Sequence, residues 1–234
     1  INVVWLKRDL RLNDHACLAA AEMMQGPYLM LYCFEPDFLS APDCADRHLD
    51  FIRVSLLEMQ KKLMPFNRPL YIVNYNALEA FEIIESEYKI KNILAYQEHG
   101  TQRTWRRDQR ILDFCVKQKI DLLEAEHGSI KRGIHNRDNW DKAWFNWHDE
   151  KLIDNCYSSS DFCFDEDLFP PINKFFDCIN TNSKEMQIPG EDAAHLYLSS
   201  FLSERGKNYQ KHISKPALSR KSCGRMSPYL AWGN

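Results

Sequence analysis

Five short apolar runs separated by helix-patterned stretches fill the first 125 residues, and they leave few folds open. The runs are Asn2–Leu6, Tyr28–Phe34, Leu70–Asn74, Asn92–Tyr96 and Asp121–Ala125. Each is rich in Val, Ile, Leu or Tyr and apolar on both faces, as parallel strands buried between helices are. Between them, Leu49, Ile52, Leu56, Met59 and Leu63 recur at alternating steps of three and four, which defines one amphipathic stripe. Ala77, Phe81, Ile84 and Tyr88 repeat the pattern behind Asn76, a candidate N-cap. Trp105, Leu112, Cys115 and Val116 mark a helix over Arg103–Gln118, and Asn13 and Asp14 stand as caps ahead of Leu18 and Ala21. The alternation predicts a doubly wound α/β fold: a five-stranded parallel sheet with right-handed crossovers.

The pattern then changes. Residues Asn139–Leu152 hold Trp140, Trp144, Phe145, Trp147 and His148, and read as a short aromatic helix or an irregular packed segment. Core is the better reading of that cluster than a platform for stacked bases. Residues 154–189 read as a linker, with Ser158–Ser160, Pro170–Pro171, Asn180–Asn182 and Pro189, and acids far outnumbering bases. A loop that long is a domain connector or a functional cover. Helix returns at Glu191–Arg205, with Ala194, Leu198 and Phe201 on one face and Gly206 placed as C′. A basic tract follows: Arg205, Lys207, Lys211, Lys215, Arg220, Lys221 and Arg225 face only Glu204. Ser227 and Pro228 then read as N-cap and N1 of a last helix.

Composition narrows the function classes. Hydrophobic residues make up 44%, charged residues 27%, and the net charge is −3, so a globally basic nucleic-acid binder is excluded while a local basic patch is not. No stretch approaches the ~18 apolar residues of a membrane span. Lys7, Arg8, Asp9 and Arg11 come after the apolar Ile1–Leu6, the reverse of a signal peptide, so an intracellular, cytoplasmic chain is expected. The sequence starts at Ile1, inside a strand-like run, and its start looks trimmed. Of the 8 cysteines none forms a C-x-x-C pair or stands at zinc-like spacing from a His. Reduced thiols and no metal are expected, with Cys33 and Cys115 buried.

Three places could carry chemistry. Lys7-Arg8-Asp9-Leu10-Arg11 follows the first strand, where a doubly wound sheet binds ligands. Internal pairing, with Asp9 bridging the arginines, is the better reading from spacing alone. Glu98 and His99 follow the fourth strand, ahead of Arg103, Arg106, Arg107 and Arg110, which read as a solvated helix face. Arg225 and Ser227 stand at a helix start, where free N–H groups and the macrodipole attract an anion such as phosphate. No dinucleotide fingerprint, P-loop, nucleophile elbow or H-E-x-x-H is present, and no catalytic residue can be assigned.

Four blocks resemble the photolyase/cryptochrome family, in family order. They are Val4–His15, Thr104–Arg110, Gly190–Ala194 with Leu198, Phe201 and Leu202, and Arg225-Met226-Ser227-Pro228-Tyr229-Leu230-Ala231-Trp232-Gly233. The last is similar to the family's flavin-binding motif. The resemblance implies an α/β, Rossmann-like antenna domain over residues 1–130, an interdomain connector over 131–189, and the beginning of an all-α FAD-binding domain over 190–234, cut short. It implies FAD as cofactor, with Tyr209, Arg225, Met226, Ser227 and Leu230 about its phosphates. Cys223 and Gly224 stand where many members have Thr-Ser, which removes two hydroxyl donors. Glu98 falls where some members contact an antenna chromophore, of folate or deazaflavin type. The DNA-facing arginine that follows the tyrosine in many photolyases is missing, and Lys211 and Lys215 are the cations in that stretch. The activity implied is light-dependent splitting of pyrimidine dimers by a monomeric deoxyribodipyrimidine photo-lyase acting on damaged DNA. The alternatives are a cryptochrome photoreceptor without repair, or a module inactive by itself.

Overall fold

The computed structural model describes residues 1–128, 130–180 and 186–234; Ser129 and part of the sequence-predicted connector, including Asn182, lie outside the described residues. The elements run β1 (Asn2–Leu6), α1 (Ala16–Met23), β2 (Tyr28–Cys33), α2 (Pro36–Leu39), α3 (Asp46–Leu63), β3 (Leu70–Val73), α4 (Ala77–Tyr88), β4 (Asn92–Tyr96), α5 (Gln102–Gln118) and β5 (Asp121–Ala125). They continue with α6 (Trp140–His148), α7 (Asn173–Phe176), α8 (Glu191–Ser203), α9 (Tyr209–His212), α10 (Pro216–Ser222) and α11 (Ser227–Trp232). The chain divides into two compact units. One holds Ile1–Lys7, Leu12–Ala41 and Leu63–Ile172; the other holds Arg8–Arg11, Pro42–Lys62 and Asn173–Asn234.

The first unit is the doubly wound α/β fold. All strand pairs are parallel and the order is β3-β2-β1-β4-β5, so the direction of winding reverses between β1 and β4. Val3 sits beside Leu29 on one side and Ile93 on the other, and every residue of β1 is buried. Val3, Trp5, Leu29, Leu31 and Ile93 join Phe81 of α4 and Ile111 and Phe114 of α5 in one core. Trp5 meets Phe81 edge-on at 5.4 Å. The alternate strand residues Val4, Met30 and Leu94 are buried too. Each such side chain contributes about 1.5–3 kcal/mol of burial. The two edge strands depart from the expected double burial: in β3, Tyr71 and Ile72 are only partly buried. At the other edge, in β5, Asp121, Leu123 and Glu124 are exposed.

Local chemistry explains the helix ends. Asn76 and Glu79 form a reciprocal capping box that starts α4. The cap of α1 is neither Asn13 nor Asp14 but the buried His15, whose Nδ1 accepts from the Leu18 N–H at 3.1 Å. Asp14 cannot serve, since its φ is +51° and its carboxylate accepts from Ile153 N–H at 3.0 Å. The buried face of α5 is also corrected. Thr104, Ile111, Phe114 and Cys115 face inward, while Trp105, Leu112 and Val116 are exposed. Helical spacing puts Arg107 and Asp108 on that inner face between Thr104 and Ile111, so the stripe is interrupted by charge. Burial pushes the Cys115 thiol up to about 11, whereas Cys33 is only partly buried.

The stretch after β5 is not all loose chain. No residue of α6 is buried, so its aromatics are not core. Further on the chain is strapped to the α/β unit. Asn155 exchanges hydrogen bonds with the His15 backbone at 2.8 and 3.0 Å, Tyr157 donates to Leu12 C=O at 2.6 Å, and Ser158 donates to Glu22 at 2.7 Å. Phe169 is buried against Tyr71 and Tyr75 at 5.7 Å. This segment buys order through side chain–backbone bonds rather than through secondary structure of its own.

In the described residues of the second unit no strand occurs. Phe51 of α3, Ala193 and Ala194 of α8 and Tyr229 of α11 form its core cluster. The Tyr229 ring lies 5.5 Å from Phe51, and its hydroxyl donates to Ile188 C=O at 2.6 Å. Three expectations change here. On α8, Ala194 is buried but Leu198 is exposed and Phe201 only partly covered. Gly206 lies in a 3₁₀ turn over Arg205–Asn208, not at a left-handed C′ position. It is glycine for space: a Cβ there would stand 2.7 Å from Phe201 C=O. Ser227 is the first helical residue of α11, not its cap, and no side-chain capping bond is made.

Candidate functional sites

Two groups of polar residues stand out, one in each unit. The first lies beyond the carboxyl ends of β1, β2 and β4, at the reversal of winding where doubly wound sheets bind ligands. Lys7 follows β1, Glu35 follows β2 and Glu98 follows β4; α5 returns Arg107 and Asp108 to the same place. The Arg107 guanidinium donates to Glu35 at 2.9 Å, to Asp108 at 2.8 Å and to Glu98. It also lies over the rings of Trp5 at 4.7 Å and Phe38 at 5.4 Å. Lys7 Nζ stands 3.6 Å from Asp108 and 4.5 Å from the Trp5 ring. Arg132 closes the outer side, reaching Glu124 at 3.0 Å and Glu98 C=O at 2.9 Å.

Burial sets the electrostatics of this group. It pushes the Glu35 carboxyl up, and the charge of Arg107 and the Ala77 N–H offset only part of that. Burial also opposes the charge on Arg107, but Glu35, Glu98 and Asp108 outweigh it and hold the guanidinium firmly protonated. His99, nearer solvent, is lowered by partial burial and by Arg132. Glu98 is thus a partner of Arg107 in an internal ion cluster. Arg107 does not belong to the solvated face that Arg103, Arg106 and Arg110 form. Glu35 went unnoticed in the sequence, although it stands two residues past its strand just as Glu98 does.

The second group lies within the second unit. Arg205 knits the turn after α10, donating to Tyr197 C=O at 2.8 Å, Cys223 C=O at 2.9 Å and Ser200 Oγ at 2.9 Å. Arg225 takes a left-handed backbone, φ +58°, and its C=O accepts from Gln187 Nε2 at 3.1 Å. Met226 C=O accepts the Leu230 N–H at 2.9 Å. Phe201 gathers the surroundings: Tyr209 meets its ring edge-on at 5.9 Å, and a Cβ on Gly224 would touch it at 3.9 Å. Tyr209, Cys223, Gly224, Arg225 and Met226 therefore lie about one turn. Ser227 opens α11 and Leu230 is 74% exposed on it. Lys211 and Lys215 are exposed, on α9 and just ahead of α10.

The far end of α11 is clamped by the segment Arg8–Arg11. Leu10 N–H donates to Trp232 C=O at 2.9 Å, Arg11 reaches Gly233 C=O at 3.3 Å, and Asn234 Nδ2 donates to Leu10 C=O at 2.6 Å. The Arg8 guanidinium lies 5.1 Å from the Trp232 ring. Gly233 has φ +70°, and a Cβ on it would fall 2.4 Å from Arg8 C=O. Arg8 and Arg11 thus serve this clamp. No spacing rule could have paired residues some 220 positions apart.

Known proteins place the chain. The family model for DNA photolyase matches residues 2–130, more than half of the sequence. The chain belongs to the DNA photolyase family, which includes photolyases and cryptochromes. A deoxyribodipyrimidine photo-lyase of Vibrio cholerae is 28% identical over 130 residues, 56% of this chain and 26% of its own length. One from Synechococcus sp. is 34% identical over 58 residues, 25% of this chain and 12% of its own. Among solved structures, an archaeal photolyase from Sulfolobus tokodaii with two FAD molecules superposes at TM-score 0.76 and 18% identity, over 100% of this chain and 52% of its own. A bacterial class III photolyase from Agrobacterium tumefaciens gives 0.73 at 18% identity, over 99% and 50%. The cryptochrome of Synechocystis sp. gives 0.72 at 16%, over 99% and 52%. The chain thus spans about half the length of these structures, and its matches cover about a quarter or less of the curated relatives.

Proposed function

We propose that this chain supplies the antenna-type α/β domain (1–130), the connector (131–189) and the opening of a helical FAD-binding domain (190–234) of a deoxyribodipyrimidine photo-lyase. The observation that carries the reading is the turn at 223–227. Its sequence matches the family's flavin motif, and Arg205 and Gln187 cover the carbonyls of Cys223 and Arg225. An approaching phosphate would otherwise be repelled by those carbonyl oxygens. The residues present fit the diphosphate of FAD: Arg225 brings a cation, the first turn of α11 brings N–H groups without intrahelical acceptors, and Tyr209 brings a half-exposed phenol. Cys223 is the poorest member, since a thiol is a weak donor where a hydroxyl would be a good one. Bound, reduced FAD would supply the electron that opens the pyrimidine dimer. The reading carries with it damaged DNA as partner, with Lys211 and Lys215 toward its phosphates, Glu98 beside an antenna chromophore, and a monomer working inside the cell. No helix among the described residues is long and apolar enough to cross a membrane.

A second reading is a cryptochrome photoreceptor, favoured by the likeness to the Synechocystis cryptochrome over 99% of this chain. The two part at one assay. Purified protein mixed with FAD and passed through gel filtration should keep visible flavin absorbance, and Arg225→Ala should lower the amount kept. Light-dependent repair of a thymine-dimer oligonucleotide then identifies a photo-lyase. Flavin retention without repair identifies the cryptochrome. Protein that stays colourless at every FAD concentration would overturn the assignment of Tyr209 and Arg225–Leu230 to cofactor binding for this chain.

A further inference from the structure

The α/β unit holds a cleft of about 260 Å³ between α6 and the loop that leads into it. Lys131, Ile134, Asn139, Trp140, Lys142 and Asn146 line it. Trp140 is 42% exposed, and no residue of α6 is buried, so this helix is not held there by a core of its own. The side chains of Lys131, Asn139, Lys142 and Asn146 make no hydrogen bond or ion pair among the described residues. Asn136 is committed, since its Oδ1 accepts the Asp138 N–H at 3.0 Å. Uncommitted donors and an open indole ring thus converge on one concavity.

We infer that this cleft binds a nucleotide unit, with the base stacked on Trp140 and its phosphate between Lys131 and Lys142. An indole face takes any planar base, whatever its sequence. Lysine ammoniums are compact charges suited to phosphate oxygens. The amides of Asn139 and Asn146 offer both donor and acceptor to base edges, and Asp138 at the rim can accept from an exocyclic amine. Size argues against a larger ligand. Drug-sized ligands occupy pockets of about 300–1,000 Å³, so this cleft holds one base and not the two ring systems of a dinucleotide. Sources of such a unit are a single-stranded nucleic acid and a free nucleotide. The strand is favoured by Trp147, 38% exposed and two helical turns along the same face, which gives a neighbouring base a second platform. This site is in the α/β unit and does not depend on the flavin turn of the second unit.

The test uses undamaged, fluorescently labelled oligo(dT) titrated by anisotropy against the whole protein at several salt concentrations. Trp140→Ala should weaken binding about tenfold, and Trp140→Phe, which keeps a stacking ring, should restore most of it. Replacing Lys131 and Lys142 together by Gln should lower the slope of log K against log salt by about 0.7, the value for one phosphate contact on a single strand. Competition by free dTMP at concentrations near its own dissociation constant, with no gain from lengthening the oligonucleotide, would assign the site to free nucleotides. Tighter binding by the longer strand assigns it to nucleic acid. Affinity and salt slope unchanged in both sets of variants would overturn the inference, whether or not the protein binds FAD or repairs dimers.

Discussion

Replacing Arg107 by methionine should expose how much of the α/β unit rests on one guanidinium. The side chains of Arg107, Glu35 and Glu98 are only 13%, 7% and 6% exposed, so little water can take the arginine's place. Stranding one partner of a buried pair costs about 3–5 kcal/mol. Protonation sets a ceiling on the share due to Glu35. Its ordinary value is 4.5, and each pH unit above that adds about 1.4 kcal/mol to the price of neutralising it. The ceiling is about 5 kcal/mol at pH 8 and about 1.4 kcal/mol at pH 5.5. The sign follows from burial. Glu35 already has a raised value in the folded state, so folded protein binds its proton more tightly than unfolded protein. Stability through this group is therefore highest at low pH and falls as pH rises past 4.5 through the folded value, and removing Arg107 steepens that fall. Urea unfolding followed by far-ultraviolet circular dichroism should show Arg107→Met less stable than the parent by about 3–5 kcal/mol at pH 8 and about 1–2 kcal/mol at pH 5.5. Adding Glu35→Gln should recover part of the loss at pH 8. An equal loss at both pH values, or a loss under about 1 kcal/mol at pH 8, would refute the buried-charge account.

Other changes probe the remaining joints. Gly233→Ala places a side chain in a left-handed position and against Arg8 C=O, and should cost at least about 2 kcal/mol in thermal unfolding and reduce flavin retention together with it. At Glu22, burial is outweighed by bonds from Ser158 and Tyr28 and by the charge of Arg68, so its carboxyl is held below the usual range. Its contribution is present above 4.5 and lost as pH falls through the lower folded value. Glu22→Gln should therefore be less stable than the parent at pH 7, with the gap closing as pH falls below 4.5 through the folded value, and a stability gap that stays constant through that fall would contradict this.

Much of the architecture could be read from residue order. The five strands, the capping box of Asn76 and the flavin-type motif at Arg225–Gly233 are local patterns, written in neighbours a few residues apart. The misreadings share a cause. Trp105, Leu112 and Val116 mark α5 by their apolar character but are exposed, while Arg107 and Asp108 turn inward to partners in the loops that follow β1, β2 and β4. Asn13 and Asp14 were expected to cap α1, but Asp14 is bound to Ile153 and a buried histidine takes its place. The aromatic helix α6 was expected in a core, but hydrophobicity alone does not say what a surface faces.

The sequence by itself determined the alternation of strands and helices, the family, and the chemistry available at residues 205–230. Those depend on side-chain type and short spacing, which the chain carries wherever it goes. Only the tertiary structure decided that Glu35, Glu98 and Arg107 form one buried ion cluster, that Asn155–Ser158 is strapped to the ends of α1, and that the segment Arg8–Arg11 clamps Trp232–Asn234. Each of these joins groups tens to hundreds of residues apart, and such pairings arise when the sheet and helices fix where the loops end, not from any pattern within the loops themselves.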